Sequence, residues 1–174
     1  MSNIYMRSAQ PADLDQIMTI IDQAKALLKS DGSSQWQDGH PNRATLTEDI
    51  AQHHCWVLIV NGQLAGTATL IVGEEPTYQE IQAGNWVDTQ HPYATFHRIA
   101  LSADFRGERL SDYFFSNLIS QAYQQGVRHL RIDTHEQNQR MQHIVGTFGY
   151  QYRGIIYVNP TPDGKRLAYE LNLD

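Results

Sequence analysis

The densest chemistry in the sequence runs from His97 to Ser111, H-R-I-A-L-S-A-D-F-R-G-E-R-L-S, where an apolar stretch gives way to an arginine- and glycine-bearing turn and then to a helical pattern. A helix start presents main-chain N–H groups with no intrahelical acceptor, together with the positive end of the helix dipole. A strand-turn-helix junction can therefore hold a pyrophosphate. Arg106 and Arg109 add positive charge, and Gly107 lets the backbone approach a ligand closely. An ordinary solvated turn has the same composition, so one Gly and two Arg do not separate the two readings. His97 contributes an imidazole, which with a usual pKa near ~6.5 can accept a proton at neutral pH. The alternative is a buried histidine satisfied by hydrogen bonds. On a regular strand, His97, Ile99 and Leu101 face the same side.

Other reactive side chains are scattered. The chain has eight histidines, but His53 and His54 are neighbours that cannot easily share one ion. His129, His135 and His143 fall on neither the helical four-residue spacing nor a Cys-His pattern, so no metal site is predicted. The single cysteine, Cys55, opens an apolar stretch beside Trp56 and reads as a small buried hydrophobe. Trp36, Tyr78, Trp86 and Tyr93 sit in predicted loops, either as recognition residues or as lids folded onto the core. Glu74, Glu75, Glu80 and Asp88 in the same region read as a solvated acidic loop that could also attract an ammonium group. His135 ends a predicted strand, where ligands gather in open sheets, and Asp133 beside it could instead be a capping residue.

The elements that must position these residues follow from periodicity. Ile4–Arg7 reads as a strand, and Leu14, Ile17, Met18, Ile21, Ala24 and Leu28 trace a helix that Pro11 opens. Residues 32–43 read as a loop, and Thr45 with Glu48 has the spacing of a capping box for a short second helix. Trp56–Val60 and Leu64–Val72 flank Asn61-Gly62, the favoured pair for a tight hairpin turn. Residues 74–92 read as a long, mostly irregular connection. Ala94–Leu101, the turn 103–109, a helix through Leu110, Phe114, Leu118 and Ala122, a strand over Val127–Asp133 and a helix through Met141, Ile144, Val145 and Phe148 give β-α-β-α and hence a parallel strand pair. Tyr152–Val158 and Leu167–Leu171 close the chain as a hairpin.

In this order of parts the sequence resembles the GNAT superfamily of acetyl-CoA-dependent N-acetyltransferases over nearly its whole length. Members open with I-x-x-R-x-A, matched by Ile4, Arg7 and Ala9, followed by an early helical Asp, matched by Asp13 or Asp15. Their strand-turn-helix motif ends R-G-x-G-x-G/A, where this chain has Arg106, Gly107, Glu108, Arg109, Leu110 and Ser111. Arg109 and Ser111 thus fill two glycine slots, and Ala103 replaces the usual proline. Main-chain N–H groups hold the pyrophosphate in such a loop, and Arg and Ser possess them too. The resemblance implies acetyl-CoA as co-substrate. Ile99 and Leu101 would pair with its pantetheine arm as an added strand, Arg106–Ser111 would hold its diphosphate, and Asn138 would contact the arm. It also implies His97 as the base, since arylalkylamine N-acetyltransferases of the superfamily place a histidine in that slot. Val145 occupies the slot where many members carry a protonating Tyr, so no general acid is identified. The implied fold is α+β (α/β/α layered): a central mixed, mostly antiparallel twisted sheet with a splayed parallel strand pair and flanking helices.

Size and charge bound the rest. The chain has 174 residues, 41% hydrophobic and 18% charged, which predicts one domain over residues 1–174 with its own core. A net charge of −6, from 13 Lys+Arg against 19 Asp+Glu, argues against nucleic-acid or anionic-membrane partners. No apolar run approaches membrane-spanning length, and the lone cysteine fits a reducing compartment, so a cytoplasmic protein is expected. The expected reaction is acetyl transfer to a primary amine of a small molecule or peptide by direct attack, with Trp36, Tyr78, Trp86 and His135 as acceptor contacts. The alternative is an acyl-CoA sensor without turnover. A homodimer is left open, as is the acceptor's identity.

Overall fold

The computed structural model describes residues 2–174. Among them, seven strands and four helices follow one another: β1 (Ile4–Ser8), α1 (Leu14–Ser30), α2 (Arg43–Ala51), β2 (Cys55–Val60), β3 (Gln63–Val72), β4 (Tyr93–Leu101), α3 (Leu110–Gln124), β5 (His129–Thr134), α4 (Gln139–Thr147), β6 (Gln151–Tyr157) and β7 (Lys165–Asn172). The strands form one mixed sheet in the order β1-β2-β3-β4-β5-β7-β6. β4 and β5 run parallel, as the β-α-β pattern predicted, whereas β1-β2, β2-β3, β5-β7 and β6-β7 are antiparallel. The chain packs as two compact units, one comprising the chain up to Leu70 with Phe96–Leu118, the other Ile71–Thr95 with Ile119–Asp174.

The first unit is built on the β2-β3 hairpin. Asn61 and Gly62 turn it with φ of 50° and 80°, the two left-handed positions that a type I′ turn requires. Ile17, Ile20 and Ile21 of α1 are buried against Leu46 and Ile50 of α2, Val57 and Ile59 of β2, and Ala100 of β4. Each of the Ile, Leu and Val side chains contributes about 1.5–3 kcal/mol when fully withdrawn from water. Arg7 forks onto Asp13 at 2.8 and 3.0 Å, tying the end of β1 to the turn before α1. Asp15 instead meets Arg43. α2 starts at Arg43, two residues before the expected Thr45 cap. Asn42, a stronger N-cap, accepts from the Thr45 N–H at 3.0 Å.

In the second unit residues 74–92 are mostly irregular, as expected, but they are pinned in place by specific contacts. Pro76–Tyr78 forms a 3-10 turn, and Gln82 bridges to Ile155. The buried Glu170 of β7 accepts the N–H groups of Val87 and Asp88 at 3.0 and 3.2 Å. Tyr78, Trp86 and Tyr93 are buried with Ile156 and Ala168 in this unit's own core. The Trp86 Nε1–H donates to the Tyr78 carbonyl at 2.8 Å, and the Arg131 guanidinium stacks 4.2 Å from the Trp86 ring and 4.1 Å from that of Tyr93. Local sequence shows a polar, irregular segment. A buried carboxylate and guanidinium from distant strands supply the partners that let it pack.

Candidate active site

The first unit brings His97, Ile99, Leu101 and the turn 102–109 together as one strand-turn-helix corner. The parallel ladder of β4 against β5 covers Tyr93–Thr95, while β4 continues to Leu101. Within that continuation Arg98 is left-handed, with φ 51°. A β-carbon there costs about 1–2 kcal/mol, so the surroundings must enforce the conformation. Arg98 donates from Nε and an Nη to the two oxygens of Asp49 on α2, at 2.7 and 2.8 Å, and Asp49 also accepts from Thr69 Oγ1 at 2.8 Å. The left-handed residue interrupts the pleat between His97 and Ile99. The expectation that His97, Ile99 and Leu101 share one face rests on a regular strand, which β4 is not at Arg98.

Three contacts fix the corner itself. The Ser102 N–H donates to the Ala65 carbonyl of β3 at 2.8 Å, the Ala103 N–H donates to Gln23 Oε1 of α1 at 2.9 Å, and the Asp104 N–H donates to Ser102 Oγ at 3.2 Å. Behind them Gly66 of β3 is closely packed: a β-carbon there would lie 2.8 Å from Leu101 Cδ2 and 3.3 Å from the Ala100 carbonyl oxygen, so these neighbours would have to shift. Leu110, Phe114 and Leu118 bury one face of α3, and Phe115 meets Phe96 of β4 edge-on at 6.1 Å.

Gly107 and Arg109 are left-handed, with φ 85° and 54°. The glycine slot that Arg109 fills therefore does require positive φ, and this chain meets it with an arginine that pairs with Asp112 at 2.8 Å. Alternating left-handed positions ahead of a helix turn successive N–H groups toward one anion. Leu110 and Ser111, as the first helical residues, have N–H groups with no intrahelical acceptor, and among the described residues Gly107 and Arg109 donate no main-chain hydrogen bond. The Arg106 and Glu108 amides differ from expectation. They donate within the turn, to Ala103 at 3.4 Å and Phe105 at 3.3 Å, so Arg106 can act only through its exposed guanidinium and Glu108 has no amide to give.

The remaining candidates each have their own local surroundings. Trp36, left-handed with φ 63°, packs half-buried against the first unit's core instead of standing out from its loop. In the second unit Asn138 is the N-cap of α4, with Oδ1 accepting from the Met141 N–H at 3.1 Å. His135 is buried; its Nδ1 accepts from the Gln137 N–H at 3.1 Å, which puts the ring proton on Nε2, 3.4 Å from Asp163. Asp133 is not a cap, for it accepts from the Tyr78 hydroxyl at 2.6 Å. Burial, then the Asp133 charge, raises the Tyr78 pKa, so Tyr78 stays a donor. Tyr78 and Trp86 line a cavity of about 400 Å³ with Glu74, His91, Tyr93 and Arg131. Cys55 is fully buried and burial pushes its thiol up to about 11, which excludes an acyl-carrying thiolate at neutral pH. The left-handed Arg98 and its Asp49 partner are what sequence reasoning missed, since nothing local marks a non-glycine residue for positive φ.

This strand-turn-helix corner and the mixed seven-stranded sheet with one parallel pair match the GNAT fold. The acetyltransferase (GNAT) family model matches residues 21–150. A crystal structure of a GNAT-family acetyltransferase from Streptococcus agalactiae is 42% identical, covers 98% of this chain and 96% of its own, and superposes with a TM-score of 0.90. The chain belongs to the GNAT acetyltransferase family. The fold is shared more distantly with the ribosomal-protein-S18-alanine N-acetyltransferase from Escherichia coli, at 18% identity, TM-score 0.67, and 100% and 95% of the two chains. It is shared also with a ribosomal L7/L12 alpha-N-protein acetyltransferase in complex with coenzyme A, at 14% identity, TM-score 0.71, and 98% and 94%. No curated protein matches by sequence.

Proposed function

We propose that the chain is a single acetyltransferase domain that moves an acetyl group from acetyl-CoA to a primary amine of a small molecule or a peptide. The observation that carries this reading is the corner at Leu101–Ser111, where a β4 edge beyond its parallel ladder runs into a left-handed turn at a helix start. The donor fits these residues. Its diphosphate would lie on the Gly107, Arg109, Leu110 and Ser111 amides with the Arg106 guanidinium beside it, and its pantetheine amides would pair with the β4 backbone at Ile99 and Leu101. Asn138 is the proposed further contact to the pantetheine arm, and Trp36 and His135 are proposed acceptor contacts.

In the proposed reaction the neutral amine attacks the thioester carbonyl directly. An alkylammonium near pKa ~10 must first lose its proton, and His97 is the proposed base. The carbonyl oxygen gains negative charge as the C–N bond forms, and a backbone N–H at or beside Leu101 stabilises it. Removing such a donor costs about 10²-fold or more in turnover. The attacking nitrogen then gives up a proton as the C–S bond breaks, and coenzyme A leaves as the thiolate, which takes up a proton, so that amide and free thiol are the products.

The test is a thiol-release screen of the purified chain with acetyl-CoA against small amines, polyamines and peptides with free N-termini. One amine that releases free thiol in step with its own acetylation supports the reading. Tight binding of acetyl-CoA with no thiol released by any amine would instead identify a sensor. No calorimetric heat from millimolar coenzyme A would remove the donor site altogether.

A further inference from the structure

The start of β5 and the loop ahead of β4 hold a group of donors that acetyl transfer does not use. Asp88, His91 and His129 each present one ligand atom, all within 4.8 Å of one another. Asp88 Oδ2 lies 2.8 Å from His91 Nδ1 and 3.6 Å from His129 Nε2, and the two imidazoles stack with centroids 5.0 Å apart. Chain spacing did not reveal them, because His129 comes from a strand nearly forty positions away and only Asp88 and His91 are near neighbours.

From Asp88, His91 and His129 we infer a binding site for a zinc-class divalent cation, with two imidazoles and one carboxylate as ligands and the fourth position open to water. Tetrahedral zinc with bonds of about 2.0 Å needs donors about 3.3 Å apart, close to the spacings from Asp88 Oδ2. His91 is the donor that adjusts. Its side chain is 64% exposed, so it can turn and exchange its hydrogen bond to Asp88 for the metal.

The surroundings orient the donors as a metal site requires. His129 Nδ1 lies 2.8 Å from Asn172 Oδ1; donating there, the ring keeps its lone pair on Nε2, toward Asp88. Asp88 Oδ1 is occupied by the N–H groups of Gln90 and His91, at 3.1 and 2.9 Å, which leaves Oδ2 to face the imidazoles. Glu170 holds the Asp88 N–H, and Arg131 donates to the Asp88 carbonyl at 2.6 Å. The Arg131 charge is turned onto that carbonyl and the Trp86 and Tyr93 rings, beside buried Glu170. Such a cation would tie the 86–91 loop to β5, a structural role independent of the acetyl-transfer reading.

Untagged full-length protein, stripped with chelator, is titrated with Zn²⁺ by calorimetry and with Co²⁺ by visible absorption. One Zn²⁺ per chain at micromolar concentration is expected, with an intense tetrahedral Co²⁺ band that Zn²⁺ displaces. His91→Ala and His129→Ala should each weaken binding at least tenfold, and Asn172→Ala, which removes only the orienting carbonyl, by about 10- to 100-fold. His143→Ala, on the exposed side of α4, should bind as the parent does. Because His91 is on the surface, its variant is expected to fold, and far-UV circular dichroism checks that. No heat from millimolar Zn²⁺, or unchanged affinity in both His91→Ala and His129→Ala, would overturn the assignment.

Discussion

Replacing Arg98 by glycine and, separately, by alanine distinguishes a left-handed residue imposed by the fold from an ordinary strand position. Both variants lose the same fork onto Asp49, whose side chain is 8% exposed against 22% for Arg98. Breaking a buried pair costs about 3–5 kcal/mol, and partial exposure of Arg98 puts this case at the lower end, about 3 kcal/mol. The variants differ only in the backbone. At an ordinary strand position alanine is favoured over glycine by about 0.5–1 kcal/mol. At φ 51° the β-carbon costs about 1–2 kcal/mol, which glycine avoids. Arg98→Gly should therefore be more stable than Arg98→Ala by about 0.5–1 kcal/mol, a reversal of the usual order and about 2–4 °C in Tm per kcal/mol for a chain of this size. Urea unfolding followed by circular dichroism measures it. Since Arg98 steers the β4 edge, Arg98→Gly should also keep the higher kcat/KM in the thiol-release assay. Equal stability, or Arg98→Ala the more stable, would refute both the enforced conformation and its role in shaping the edge.

Further outcomes are expected. Gly66→Ala should destabilise the chain by about 1–3 kcal/mol through overpacking and raise the KM for acetyl-CoA, because the added carbon pushes on Leu101 and the Ala100 carbonyl; urea midpoints and donor titrations check it. Arg7 hydrogen bonds hold the Asp13 carboxyl below the usual carboxylate range, so the pair's stabilisation is complete above the unfolded value near ~3.9 and is lost as pH falls through the lower folded value. Asp13→Asn should accordingly lose stability at neutral pH and show a shallower decline in acid, read from Tm between neutral pH and the acid range. His97→Ala should lower kcat and flatten the acidic limb of the pH-rate profile, and an unchanged profile would retire His97 as the base.

Much of this protein is determined by sequence alone, wherever local chemistry sets local structure. Asn61-Gly62 reads as a tight hairpin because few other residues tolerate positive φ twice in succession. Leu14, Ile17, Met18, Ile21, Ala24 and Leu28 read as a helix because they recur at its 3.6-residue period. The order of strand, arginine-glycine turn and helix at Leu101–Leu110 is legible for the same local reasons, although composition alone does not separate an anion-holding corner from an ordinary solvated turn. Tertiary structure alone decided what depends on partners far along the chain. It set Arg98 left-handed through Asp49, and left Gly66 bare because Leu101 and Phe114 crowd it. It buried Tyr78 and Trp86, which a polar, irregular neighbourhood makes look exposed, by bringing Glu170 and Asp133 to their loop. It also gathered Asp88, His91 and His129. Periodicity reports which face of an element is apolar, but long-range packing chooses which polar groups meet.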